Sequence, residues 1–171
     1  MIKDSGNRTE FDSGAVRDIQ SGKGRCDLMP LLQIAEYLNY SNHKSKLVSN
    51  DIYEGDWQSV ILTKIATFIH TQDKYDIYSA IYWFVSGMFN GSDSDMLLEL
   101  AVHYEEGAKK YKERNWEKGI LCHSYIDSGI RHLLKCFRGD SDERHDRAFV
   151  WNMFGLLWTL ENLPEMNDLC E

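Results

Sequence analysis

SDSDMLLELAVHYEEGAKKY, residues 92–111, decides the fold class. Ser92 to Asp95 supply hydroxyl and carboxylate oxygens of the kind that accept from the unpaired N–H groups of a first helical turn. From Met96 onward two stripes run at helical spacing. Leu97, Leu100, Ala101, Tyr104, Ala108 and Tyr111 form an apolar one; Glu99, His103, Glu106 and Lys110 form a polar one. Apolar residues that recur every three or four positions bury one side of a helix, whereas a half-buried strand alternates every two. The stretch predicts an amphipathic helix over residues 96–111.

The same period extends in both directions. Residues 56–71 place Val60, Ile61, Ile65, Phe68 and Ile69 on one side, and residues 28–40 begin a helix that tolerates Pro30 in its first turn. Residues 75–89 are apolar nearly all round, as in a buried helix or an oligomer interface. Residues 123–138 turn Ile126, Ile130, Leu133, Leu134 and Phe137 inward, and Gly139 suits the left-handed position after a helix end. Asp140 is then expected to cap a last helix, with Glu143 three residues on as in a capping box. That helix carries Phe149, Met153, Leu156, Leu157 and Leu160 and ends before Pro164. Residues 1–27, rich in Gly, Ser, Asp and Arg, read as an extended basic arm. The expected fold is all-α: a bundle of five or six helices with an extended N-terminal arm. It is read as a single helical domain over residues 1–171, with 1–27 as the arm, 40–97 as a helical insertion and 99–163 as the motif-bearing helices.

Composition narrows the function classes. The chain has 171 residues, 43% hydrophobic and 27% charged, with a net charge of −8. An acidic balance of that size opposes broad non-specific nucleic-acid binding and leaves room for a local cationic pocket. The start is polar, carrying Lys3, Asp4, Arg8, Glu10 and Asp12, and the apolar run over 77–89 is short and interrupted by Ser79, Ser86 and Gly87. No nucleic-acid partner and no membrane partner are expected. Cys26, Cys122, Cys136 and Cys170 form no C-x-x-C pair, which fits reduced thiols in a cytoplasmic protein. Tyr75, Tyr78, Tyr82, Trp83, Phe84 and Phe89 crowd one helix, and aromatic surface of that kind predicts a homo-oligomer.

Three clusters carry chemistry. Gly22-Lys23-Gly24-Arg25 lets backbone N–H groups and cationic heads approach an anion, or is simply a flexible basic arm. Lys109, Lys110, Lys112, Arg114 and Lys118 surround Tyr111, Asn115 and Trp116. They offer cations, stacking faces and an amide, or form a solvated helix end with one docking Trp. Asp127, Arg131 and His132, followed by Glu143, His145 and Asn152, bring acids and imidazoles onto neighbouring helices, where a satisfied structural histidine is the alternative.

In combination these motifs point to one family. G-A-V-R-D at 14–18, G-K-G-R-C-D-L-M-P at 22–30, E-G-A-K-K-Y-K-E-R-N-W-E-K-G at 106–119, D-S-G-I-R-H-L at 127–133, D-E-R-H at 142–145 and W-N at 151–152 occur in that order. The chain resembles the phage-associated family named for the N-terminal domain of dATP/dGTP diphosphohydrolase, over residues 11–31 and 99–158. The resemblance implies conversion of a purine deoxynucleoside triphosphate to the monophosphate and pyrophosphate, with Mg²⁺ or Mn²⁺. It implies nucleotide contacts from Arg17, Lys23, Arg25, Lys110, Tyr111, Asn115, Trp116, Lys118, Arg131, His132 and Asn152. Side-chain chemistry assigns phosphate to Lys23, Arg25, Lys110, Lys118 and Arg131, and the base to Tyr111, Trp116 and Asn152. Glu143 and His145 are the expected catalytic pair, and Glu106, Glu143 and Asp146 the expected metal carboxylates.

One pattern departs from related chemistry. All-α pyrophosphatases of the MazG type clamp Mg²⁺ with E-x-x-E on one helix and E-x-x-D on a later one. This chain has Glu143-x-x-Asp146 and no E-x-x-E. Three readings therefore stand: a purine-nucleotide diphosphohydrolase, a non-catalytic sponge that sequesters a host immune signalling nucleotide, and a structural or partner-binding helical protein.

Overall fold

The computed structural model describes residues 6–47 and 56–169. Expectations for residues 1–5 of the arm, residues 48–55 and Cys170 lie outside the described residues. The described part is all-α, with α1 (Leu31–Leu47), α2 (Trp57–Thr71), α3 (Lys74–Met88), α4 (Asp93–Tyr111), α5 (Cys122–Arg138) and α6 (His145–Asn162). Two short strands, β1 (Arg8–Glu10) and β2 (Val16–Asp18), pair antiparallel with Thr9 opposite Arg17. The extended arm is thus partly a hairpin. Its residues do not alternate in polarity, so the pairing left no period-two signal in the sequence.

Helix α6 is the centre. Its buried residues run from His145 through Leu157 and Thr159, and it packs against α5 most extensively and also against α4, α3 and α1. Small residues set the close approach of α5 and α6. A Cβ on Gly155 would stand 2.5 Å from the ring of buried Tyr125, and one on Gly129 would stand 2.6 Å from Met153 Cε. Helix α3 buries Ile77, Tyr78, Ala80, Ile81, Trp83, Phe84 and Val85 against α2, α1 and α6. Its all-round apolarity, the reason for expecting an oligomer, therefore has an explanation within the chain, and residues 74–88 belong to the same core as the later helices.

Two other expectations are corrected. Helix α6 begins at His145 and Arg144 precedes it with no side-chain cap, so Asp140 and Glu143 do not form a capping box. Asp140 is held by Arg138, and Asp142 by Lys135 and a hydrogen bond with His145, so these carboxylates are engaged within the 140–144 connection. Helix α4 starts as expected, with Ser92 Oγ accepting from Asp95 N–H, but its buried side is Met96, Leu100, Ala101, Tyr104 and Glu105. Leu97 and Ala108 of the expected stripe are partly buried and Tyr111 is exposed; in the first turn Tyr37 Oη and Ser41 Oγ of α1 donate to the Asp93 carboxylate at 2.5 and 2.7 Å.

Buried Glu105 fastens the arm. Gly22 N–H and Gly24 N–H donate to its two oxygens at 2.8 and 2.9 Å, and Lys109 Nζ pairs with it at 2.5 Å. Gly24, at φ +83, leaves no room for a Cβ, which would sit 2.8 Å from Ala101 Cβ. The Gly22 N–H, the Lys109 ammonium and the Gly24 N–H hold the Glu105 carboxyl down to about 2. Because this folded value lies below the roughly 4.3 of an unfolded Glu, the arm's attachment is complete above that pH and is lost as pH falls towards 2. Glu105→Gln should remove on the order of 1–3 kcal/mol and speed tryptic cleavage at Lys23 and Arg25 at neutral pH. An unchanged cleavage rate would show that this carboxylate does not hold the arm.

Candidate functional site

The C-terminal half of α4 and the turn that follows it wall a cavity of about 340 Å³. Tyr104, Tyr111, Trp116 and Trp151 supply aromatic lining, together with Leu28, Ala108 and Ile120. Trp116, on the 3₁₀ turn Asn115–Lys118, is 5% exposed and lies edge-on to Trp158 at 4.8 Å and to Tyr104 at 5.8 Å. It is a wall of the cavity and not an open platform. Tyr111, Lys112, Arg114 and Asn115 stand around it, and Lys110 Nζ lies 4.8 Å above the Tyr111 ring.

Two backbone features mark this cavity. Lys112 (φ 78) and Arg114 (φ 53) are two of the four non-glycine residues with positive φ among those described, a conformation that side chains resist. Arg114 is kept there by its guanidinium, which pairs with Glu117 and donates to Asp27 O at 2.9 Å. Gly107 is the second feature. It sits inside α4, where glycine weakens a helix by about 1 kcal/mol relative to alanine, yet a Cβ there would meet nothing within 4 Å. Helix packing gives no reason for this glycine. It lines the cavity and leaves the space in front of it empty.

His103 belongs both to this cavity and to a charged groove of about 500 Å³ beside it. Burial, reinforced by the Arg147 charge, pushes its imidazole down to about 4, so it is neutral at pH 7. The groove is lined by Glu106, Glu143, His145, Asp146 and the cations Arg144 and Arg147. Glu106 takes Arg147 at 2.7 Å, while Arg144 holds Asp146 at 2.8 Å and Glu99 at 3.0 Å. Glu143 instead faces two imidazoles: its Oε1 is 3.3 Å from His145 Nδ1 and 3.5 Å from His132 Nδ1, and those nitrogens are 2.9 Å apart. The carboxylates expected to share a metal are thus divided. Glu106 and Asp146 neutralise arginines, and Glu143 joins the histidines.

The remaining sequence-predicted residues are spread more widely. Lys23 pairs with Asp18 at 2.5 Å, and Arg25 bridges Asp27 and Glu113, both at 2.7 Å. The anion that the Gly22 and Gly24 N–H groups take is the chain's own Glu105. Arg17 is exposed on β2, and exposed Arg131 pairs with Asp127 one turn before it. Lys118 Nζ donates to Asn115 Oδ1 at 3.3 Å. Asn152 is buried on α6, its amide donating to Ala148 O at 2.8 Å and its Cβ near Gly129. Reading the motifs named Lys112 and Arg114 in the cation cluster and Trp151 in the W-N motif without assigning them nucleotide contacts, and it did not single out Tyr104, His103 or Gly107 as site residues. The polar stripe from Glu99 through His103 to Lys110 was the signal that led towards these three.

A comparison with protein families matches residues 70–169 to the family described as dATP/dGTP diphosphohydrolase, N-terminal. No curated protein and no solved structure matches the chain. The matched span takes in α3, α4, α5 and α6, and with them the groove and every lining residue of the cavity except Leu28; it begins beyond the arm that carries Arg17, Lys23 and Arg25.

Proposed function

We propose, for a chain that belongs to the dATP/dGTP diphosphohydrolase N-terminal family, that it binds a purine nucleotide with the base in the aromatic cavity. The phosphates lie against Lys110, Lys112 and Arg114. The carrying observation is Gly107: a mid-helix glycine, in front of an aromatic-walled space, that nothing in the protein fills. Glycine is the residue that lets a ligand approach a backbone closely, and planar rings stack on aromatic walls. Lys112 is exposed and makes no ion pair among the described residues, so its charge is available to a phosphate.

Calorimetry against dGTP and dATP should give at least one Kd below about 100 μM, near −5.5 kcal/mol. Tyr111→Ala should weaken it about tenfold, the loss of one stacking face. No heat with either nucleotide would refute the reading.

The neighbouring groove bears on whether the bound nucleotide is cleaved. The family name carries hydrolysis to the monophosphate and pyrophosphate, with Mg²⁺ or Mn²⁺ accompanying the triphosphate. A specific observation favours capture without turnover: Glu99, Glu106 and Asp146 are each engaged by Arg144 or Arg147, so Glu106, Glu143 and Asp146 do not form the carboxylate cage that a hard divalent ion prefers. A nucleotide recovered intact after incubation with Mg²⁺ or Mn²⁺ supports a sponge. Release of pyrophosphate that Glu143→Gln abolishes supports the enzyme.

A further inference from the structure

His132 is on α5 and His145 opens α6, so the turn between these helices brings two imidazoles face to face with Glu143 beside them. Their three donor atoms are 2.9, 3.3 and 3.5 Å apart. A tetrahedral ion with bonds of about 2.0–2.1 Å spaces its ligands about 3.3–3.4 Å apart. The triangle therefore has the dimensions of one face of such a site.

The surroundings fix which nitrogens point there. His145 Nε2 is 2.7 Å from Asp142 Oδ1, and Asp142 is itself held by Lys135 Nζ at 3.1 Å. With Nε2–H donating to the Asp142 carboxylate, the Nδ1 lone pair is left directed at His132 and Glu143, the arrangement in which a carboxylate orients a metal-ligating histidine. The His145 side chain is 1% exposed, so it is built into the core and cannot swing out to water. Without an ion, two nitrogen lone pairs at this distance repel unless His132 carries its proton on Nδ1 and donates it to His145. On the far side of His145 the acids are already used: Arg138 holds Asp140, and Lys135 holds Asp142. Glu143 and His145 line the charged groove, from which water or a ligand would take a fourth position.

We propose that His132, Glu143 and His145 form a site for one divalent transition-metal ion, zinc or its neighbours in the series, in preference to Mg²⁺ or Ca²⁺. Two imidazoles and one carboxylate suit borderline ions, whereas Mg²⁺ and Ca²⁺ take oxygen ligands. The site stands independently of the nucleotide reading, because it is assayed with the metal alone.

The test is titration of the chelator-stripped full chain with ZnCl₂ and, separately, MgCl₂. Elemental analysis should give one zinc per chain with a Kd below about 1 μM and no Mg²⁺ at the same concentration. Co²⁺ should show the visible absorption of a tetrahedral N/O site. His132→Ala should weaken zinc at least 100-fold, and Asp142→Asn, which touches no metal, 10- to 100-fold. Should His132→Ala lose its helical circular dichroism, Glu143→Gln, altering a half-exposed side chain, serves in its place with a loss of at least tenfold. No zinc binding, or stoichiometry and affinity unchanged in the folded variants, would overturn the proposal.

Discussion

Gly155→Val is expected to remove about 3 kcal/mol or more of stability and to lower the melting temperature by roughly 6–12 °C. Gly155 lies at the α5–α6 seam, where its missing side chain admits the Tyr125 ring: a Cβ would be 2.5 Å from Cε1 and 2.9 Å from Cζ. Tyr125 is 1% exposed and cannot retreat, since Trp151 packs against it at 5.8 Å between centroids. Valine adds two further carbons and a χ1 restriction, so either the ring leaves its rotamer or the helices separate. Gly129→Ala on the facing helix is the contrast. Its Cβ meets Met153 Cε at 2.6 Å, the free end of a flexible side chain, so that variant should stay within about 1 kcal/mol of the parent. Thermal denaturation followed by circular dichroism measures both. Equal melting temperatures for Gly155→Val and the parent would contradict this packing.

Gly107→Phe should separate stability from binding. Replacing a glycine inside α4 adds helix propensity of a few tenths to about 1 kcal/mol, and the new side chain meets no protein atom at its Cβ. It would occupy the 340 Å³ space between Tyr104, Trp116 and Trp151. The variant is expected to melt no lower than the parent and to lose at least 100-fold in affinity for dGTP or dATP, about 2.7 kcal/mol by the relation between Kd and free energy. Retained affinity would place the base elsewhere. A glycine kept only for helix geometry would give the reverse pattern, lost stability and unchanged binding.

The helices were legible because their burial is periodic. Ile61, Ile65 and Phe68 on α2, and Phe149, Met153, Leu156 and Leu157 on α6, are buried as their spacing required. The start of α6 was not legible, since Asp140 and Glu143 satisfy the letter pattern of a capping box while ion pairs with Arg138 and approach to two histidines claim the same carboxylates. The ties of Asp93 to Tyr37 and Ser41 on α1, more than fifty residues away in sequence, are contacts that no local window contains. The site was legible in part. Tyr111, Asn115 and Trp116 do meet at one cavity, and His132, Glu143 and His145 do meet at one turn. Lys23 and Arg25 went to internal acids instead, and no local pattern marks Glu105 as the acid that draws Gly22 and Gly24 to α4.

The central claim is that a purine base occupies the space in front of Gly107. A crystal structure of the chain with a non-hydrolysable dGTP analogue tests it most directly. The account predicts the guanine between Tyr104, Trp116 and Trp151 and the triphosphate at Lys110, Lys112 and Arg114. An analogue seated instead on the arm at Lys23 and Arg25, with the cavity empty, would contradict it.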